Sequence, residues 1–85
     1  MNMLHTINKS PFENSTMSSC IAMCSQDSSI LFIEDGVISV MKSTKFSELV
    51  ENALKEFKMY VLKPDLEARG LSLNNVIEGV EIVGY

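Results

Sequence analysis

Residues 59–71 read MYVLKPDLEARGL, and how this stretch is parsed decides the fold. Met59-Tyr60-Val61-Leu62 is a short apolar run of strand character, and it passes without a spacer into Lys63-Pro64-Asp65. Pro64 pre-sets the dihedral of a helix start and Asp65 complements the positive end of a helix dipole. Asp65 is also spaced i, i+4 from Arg69, and Gly70 supplies a left-handed stop. The stretch therefore predicts a strand followed by a self-capped, single-turn crossover helix. A crossover of this kind, unlike a tight hairpin, returns the chain parallel to the strand it left.

Three other apolar runs fit the same scheme: Met3-Leu4-His5-Thr6-Ile7, Ile30-Leu31-Phe32-Ile33 and Val80-Glu81-Ile82-Val83. The runs at 30–33 and 59–62 are nearly continuous rather than alternating, the pattern of strands buried on both faces of a parallel sheet. Between them, Phe46, Leu49, Val50, Ala53, Leu54 and Phe57 recur at helical spacing and form one apolar stripe. Thr44 is placed to cap this helix, with Glu48 and Glu51 early and Lys55 and Lys58 late. Met17, Cys20, Ile21 and Cys24 share a face of a weaker helix with Asn14 or Ser15 as cap. Val37 to Met41, entered through Asp35-Gly36, is too short to assign between strand and helix. The order strand, helix, strand, helix, strand, short helix, strand predicts an α/β fold: a small, mostly parallel four-stranded sheet flanked by helices.

The 85 residues, 46% of them hydrophobic, provide for one domain spanning 1–85 with one modest core. Seven basic residues against 11 acidic ones give a net charge of -4. The lysines at 9, 42, 45, 55, 58 and 63 are scattered without interleaved aromatics, which argues against direct nucleic-acid binding. No apolar stretch approaches the ~20 residues needed to cross a bilayer, and MNMLHTINKS lacks the plan of a secretory signal. A cytoplasmic protein with reduced thiols is the expectation.

Ligands of open α/β sheets sit beyond the carboxyl ends of the strands. Here those loops are Asn8-Lys9-Ser10-Pro11, Glu34-Asp35-Gly36 and Lys63-Pro64-Asp65, and none carries a phosphate-binding glycine fingerprint. The adjacent acids Glu34 and Asp35 point different ways and do not make a general acid/base pair. No serine lies in a nucleophile elbow. His5, the sole histidine, reads as a packed sheet residue, and no metal or cofactor site is expected. The remaining nucleophiles are Cys20 and Cys24, one helical turn apart, which serve either as small core hydrophobes or as thiols for sulfur exchange. No basic neighbour in sequence activates Cys20, so an electropositive environment must come from elsewhere in the fold or from a partner.

In order and spacing, MLHTINKSPFE, LFIEDGV and YVLKPDLEARGL resemble the TusB/DsrH family of sulfur-relay proteins over nearly the whole chain. The resemblance implies a DsrE/F/H-like subunit of a cytoplasmic hetero-oligomer containing two related subunits, of DsrE/TusD and DsrF/TusC type. Such complexes hand persulfide sulfur to a downstream acceptor protein, either for 2-thiouridine formation at the transfer-RNA wobble position or for oxidation of stored sulfur. Cys20 matches the candidate relay cysteine of the sulfur-oxidation branch, with Cys24 as filler, which places the resemblance closer to the DsrH branch. The main acceptor cysteine belongs to a partner subunit, so a purely assembling role is the alternative. Family members continue beyond the point where this sequence stops, at Gly84-Tyr85. Three crossovers thinly cover a two-sided sheet, so either a neighbouring subunit supplies the missing layer, or a second copy when the chain is alone, or the sequence is a fragment.

Overall fold

The structure, a computed structural model, describes residues 3–13, 15–24 and 28–84. Strand β1 (Met3–Ile7) leads to helix α1 (Thr16–Met23) and strand β2 (Ser28–Phe32). A 3-10 helix over Glu34–Val40 and helix α2 (Ser47–Ala53) follow, then strand β3 (Lys58–Leu62). Helix α3 (Lys63–Ala68), a 3-10 turn over Leu73–Asn75 and strand β4 (Glu81–Val83) complete the described chain. The four strands form one sheet in the order β1-β2-β3-β4, every pair parallel, with Ile7 beside Phe32, Phe32 beside Val61 and Val61 beside Ile82.

This order has a consequence that strand periodicity alone does not reveal. When strands follow one another in space as in sequence, right-handed crossovers place every connection on the same face. Burial agrees: Ile7, Ile30, Phe32, Met59 and Val61 are buried, and they join Met17, Val37, Val40, Val50, Ala53 and Leu66 from the connections in one core. Each large buried side chain of this set contributes about 1.5–3 kcal/mol. The alternate residues behave differently. Leu31, Tyr60, Leu62 and Val83 are only half-buried, Thr6 is exposed and Leu4 is 63% exposed. The continuous apolar runs at 30–33 and 59–62 thus do not mark strands covered on both sides within this chain. They mark one covered face and one apolar face left open.

The expected helices are present, and α2 is shorter than its apolar stripe. The α2 stripe packs as expected, with Val50, Ala53 and Phe57 buried and Phe46, Leu49 and Leu54 against the core. The helix ends at Ala53, however, so Lys55 and Lys58 lie beyond it and do not compensate its dipole. Thr44 does organise the entry: its Oγ1 accepts the Phe46 N–H at 3.1 Å, and its own N–H donates to Ser47 Oγ at 2.9 Å. In α1, Met17 is buried and Cys20, Ile21 and Cys24 pack on the core, while the cap is Ser15 without a side-chain bond. Asn14 lies outside the described residues. The ambiguous segment becomes the 3-10 helix, tied down by hydrogen bonds from Ile77 N–H to Val40 O (2.8 Å) and Lys42 N–H to Asn75 O (2.7 Å).

Candidate functional site

The loops at the carboxyl ends of the strands are braced against one another. Ile33 N–H donates to Ile7 O at 3.0 Å, and Gly36 lies so close to that carbonyl that a Cβ there would collide with it. Asp65 accepts the Glu34 N–H at 2.8 Å. Arg69 does not pair with the Asp65 carboxylate: its Nε reaches Asp35 at 3.0 Å, while its Nη1 donates to the Asp65 carbonyl at 3.1 Å. The acids and arginine of KPDLEARGL therefore fasten the loop after β3 to the loop after β2. Gly70 takes the left-handed conformation (φ 67°) that ends α3. In the first loop, buried Ser10 accepts the Phe12 N–H at 3.2 Å. Phe12, though 56% exposed, stands edge-on to Phe46 at 5.0 Å, with the Lys45 ammonium 5.7 and 5.3 Å from the two rings. These contacts occupy the strand-end residues with structural work.

Chemistry-bearing side chains converge elsewhere, beside the edge strand β1. Cys20 lies in α1 and Cys24 caps its end one turn later, so that their sulfurs lie 3.9 Å apart. Alternation along β1 puts His5 on the same face as Ile7, the face α1 covers. One ring nitrogen of His5 and the two sulfurs all lie within 4.8 Å of one another, each residue half-buried. Leu4, His5, Thr6, Ser19, Cys20 and Met23 line an open cleft of about 460 Å³ at this place. Its rim is apolar, with Met23 82% exposed.

Burial pushes the Cys20 thiol from its ordinary 9.0 up to about 11, and neighbouring Cys24 adds to the rise through its charge and its hydrogen bond. At neutral pH Cys20 is a thiol, and nucleophilic sulfur chemistry requires the thiolate. The environment needed to activate Cys20 is thus not supplied by its sulfur neighbour. Helical spacing singles out Cys20, whereas the strand pattern gives His5 only as sheet packing and does not show its approach to the sulfurs. The signal was present in the parity of His5 and Ile7, which share the side of the strand that the following helix must cover.

The family model described as "DsrH like protein" matches residues 9–85. Protein TusB of Enterobacter sp. (strain 638) is 32% identical over 83 residues, covering 98% of this chain and 83% of that protein. Protein TusB of Erwinia tasmaniensis is 36% identical over 83 residues with the same coverages. Among solved structures, a protein of unknown function from Methanobacterium thermoautotrophicum superposes with a TM-score of 0.74 at 15% identity, over 96% of this chain and 80% of that one, and so shares the fold. The chain belongs to the TusB/DsrH family of sulfur-relay proteins.

Proposed function

We propose that this chain is a subunit of a cytoplasmic sulfur-relay complex and that Cys20 carries a persulfide within it. The observation that carries the reading is Cys20 lining a cleft open to solvent, with the Cys24 sulfur 3.9 Å away, in a chain of this family. In the relay step a Cys20 thiolate attacks the outer sulfur of a donor persulfide. A sulfur–sulfur bond forms at Cys20 as the donor's bond breaks, and the donor leaves as a thiolate. Attack by an acceptor thiolate on that outer sulfur then regenerates Cys20. Because the thiol is protonated in the isolated chain, docking has to create the nucleophile. A cation brought by a partner lowers the thiol pKa and so supplies the thiolate.

The partners are subunits of DsrE/TusD and DsrF/TusC type together with a downstream acceptor protein. The open sheet face around Leu4, Leu31, Tyr60, Leu62 and Val83 supports hetero-oligomer formation, since apolar surface of this kind gains stability when a neighbour covers it. The TusB names of the curated relatives favour transfer-RNA wobble-uridine 2-thiolation as the destination of the sulfur, while the family resemblance of Cys20 to a relay cysteine is the feature that speaks for sulfur oxidation.

The test is intact-mass measurement of the chain after incubation with its partner subunits and a persulfide donor. One added sulfur in the native chain, absent in Cys20→Ser, is expected. Full sulfur transfer by a complex containing Cys20→Ser would leave this subunit with an assembling role alone.

A further inference from the structure

Two thiols and an imidazole drawn together beside the edge strand, two of the three lining a cleft, are more than core filling requires. A tetrahedral zinc site has Zn–S bonds of about 2.3 Å and Zn–N bonds of about 2.0 Å, which places bound sulfurs about 3.8 Å apart and sulfur and nitrogen about 3.6 Å apart. The Cys20 and Cys24 sulfurs already stand at 3.9 Å, on one face of a helix end. The three donor atoms lie within 4.8 Å of one another, so closing a site asks His5 for a movement of about an ångström, within the reach of a side-chain rotation.

We propose that His5, Cys20 and Cys24 form a three-ligand site for a thiophilic divalent cation of the zinc type, with the fourth position open to the cleft. Two sulfurs and one nitrogen are the donor set that zinc selects over magnesium and calcium, which take oxygen. Three protein ligands leave one position for water or for the sulfur of a solute, the arrangement of an open rather than a closed zinc site. The cleft bordered by Leu4, Thr6, Ser19 and Met23 provides the entry path. Sequence spacing hides the site because the third ligand comes from a strand fifteen residues before Cys20, and only the β1-α1 crossover brings it near.

The proposal does not rest on sulfur carriage, although a bound cation competes with the persulfide for Cys20, and its test reads metal rather than transfer. The reduced full-length chain is titrated with Zn²⁺ alone, and in parallel with Co²⁺ as a spectroscopic substitute. One Zn²⁺ per chain is expected, together with thiolate-to-cobalt charge-transfer absorption and the intense visible bands of a tetrahedral ion. Changing a supporting group around zinc costs about 10–100-fold in affinity, so Cys20→Ser, Cys24→Ser and His5→Asn should each lose at least that much. Circular dichroism of each variant establishes that it folds, and Ser19→Ala, which borders the cleft without being a ligand, should bind as the native chain does. Cobalt spectra without thiolate absorption would overturn the site. Zinc affinity unchanged in folded His5→Asn would reduce it to an ordinary dithiol and overturn the three-ligand assignment.

Discussion

Arg69 Nε lies 3.0 Å from Asp35 Oδ1, joining residues 34 apart in sequence and bridging the loops that leave β2 and β3. The pair is exposed, with side chains 29% and 57% accessible, so solvent screening holds its worth to about 0–1 kcal/mol. The companion bond, in which Asp65 accepts the Glu34 N–H at 2.8 Å, serves a backbone donor at the start of a helix. Its loss resembles loss of a helix cap, at about 1–2 kcal/mol. Urea denaturation is therefore expected to rank Asp65→Ala as more destabilising than Asp35→Ala. Equal effects would mean that the ion pair, rather than the backbone bond, holds the loops together.

Gly36 is fixed by the approach of its backbone to Ile7. An alanine Cβ there would run into the Ile7 carbonyl, which already accepts the Ile33 N–H, and no flexible side chain is available to yield. Gly36→Ala should cost about 3 kcal/mol or more. Gly70→Ala meets no atoms and carries only the strain of φ 67°, about 1 kcal/mol. Thermal unfolding of the two variants should separate them clearly.

The Cys20 thiol sets a kinetic prediction. With its pKa raised from 9.0 to about 11, the thiolate fraction at neutral pH is about a hundredfold below that of an ordinary cysteine. Iodoacetamide should modify Cys20 slowly, at a rate that climbs with pH toward about 11. Cys24→Ser removes the charge and the thiol hydrogen bond but leaves the burial, so the rate should rise only part of the way to that of a free thiol. Linkage gives the sign for stability: a raised pKa stabilises the fold below pH 9.0, and that contribution is lost as pH rises through about 11. Cys20→Ala should accordingly flatten the alkaline fall in stability over that window. A mass-resolved alkylation profile checks the rates, and denaturation at stepped pH checks the linkage.

The open sheet face makes its own prediction about assembly. Leu4 is 63% exposed on the same face as Leu31 and Tyr60, so Leu4→Glu changes little inside the chain, within about 0.5 kcal/mol. A charge there should nevertheless oppose burial by a partner subunit or a second copy. Sedimentation of the isolated chain and co-purification with the partner subunits should both register weaker association. Unchanged association would place the interface on another surface.

Much of the architecture was written in short-range chemistry. Pro64, Asp65 and Gly70 mark a helical turn directly after β3, and the crossover they create makes the following strand parallel. The α2 stripe likewise identified Val50, Ala53 and Phe57 as core because helical period is a local property of the chain. Helix length was less legible: α2 ends at Ala53 because the chain must turn to enter β3, and that demand comes from the sheet rather than from residues 54–57. Arg69 shows the same limit, since the i, i+4 partner proposed by spacing lost to Asp35, an acid delivered from another loop.

By itself, then, the sequence determined strand and helix identity outside residues 37–41, the parallel arrangement and the candidate thiol Cys20, because propensity, periodicity and turn chemistry act over a few residues. Tertiary structure alone decided that one sheet face is covered and the other open, since that follows from the spatial order of the strands and the handedness of their connections. It also decided that His5 stands beside Cys20 and Cys24, because a crossover folds α1 back onto β1, and no local preference specifies which side chains then meet.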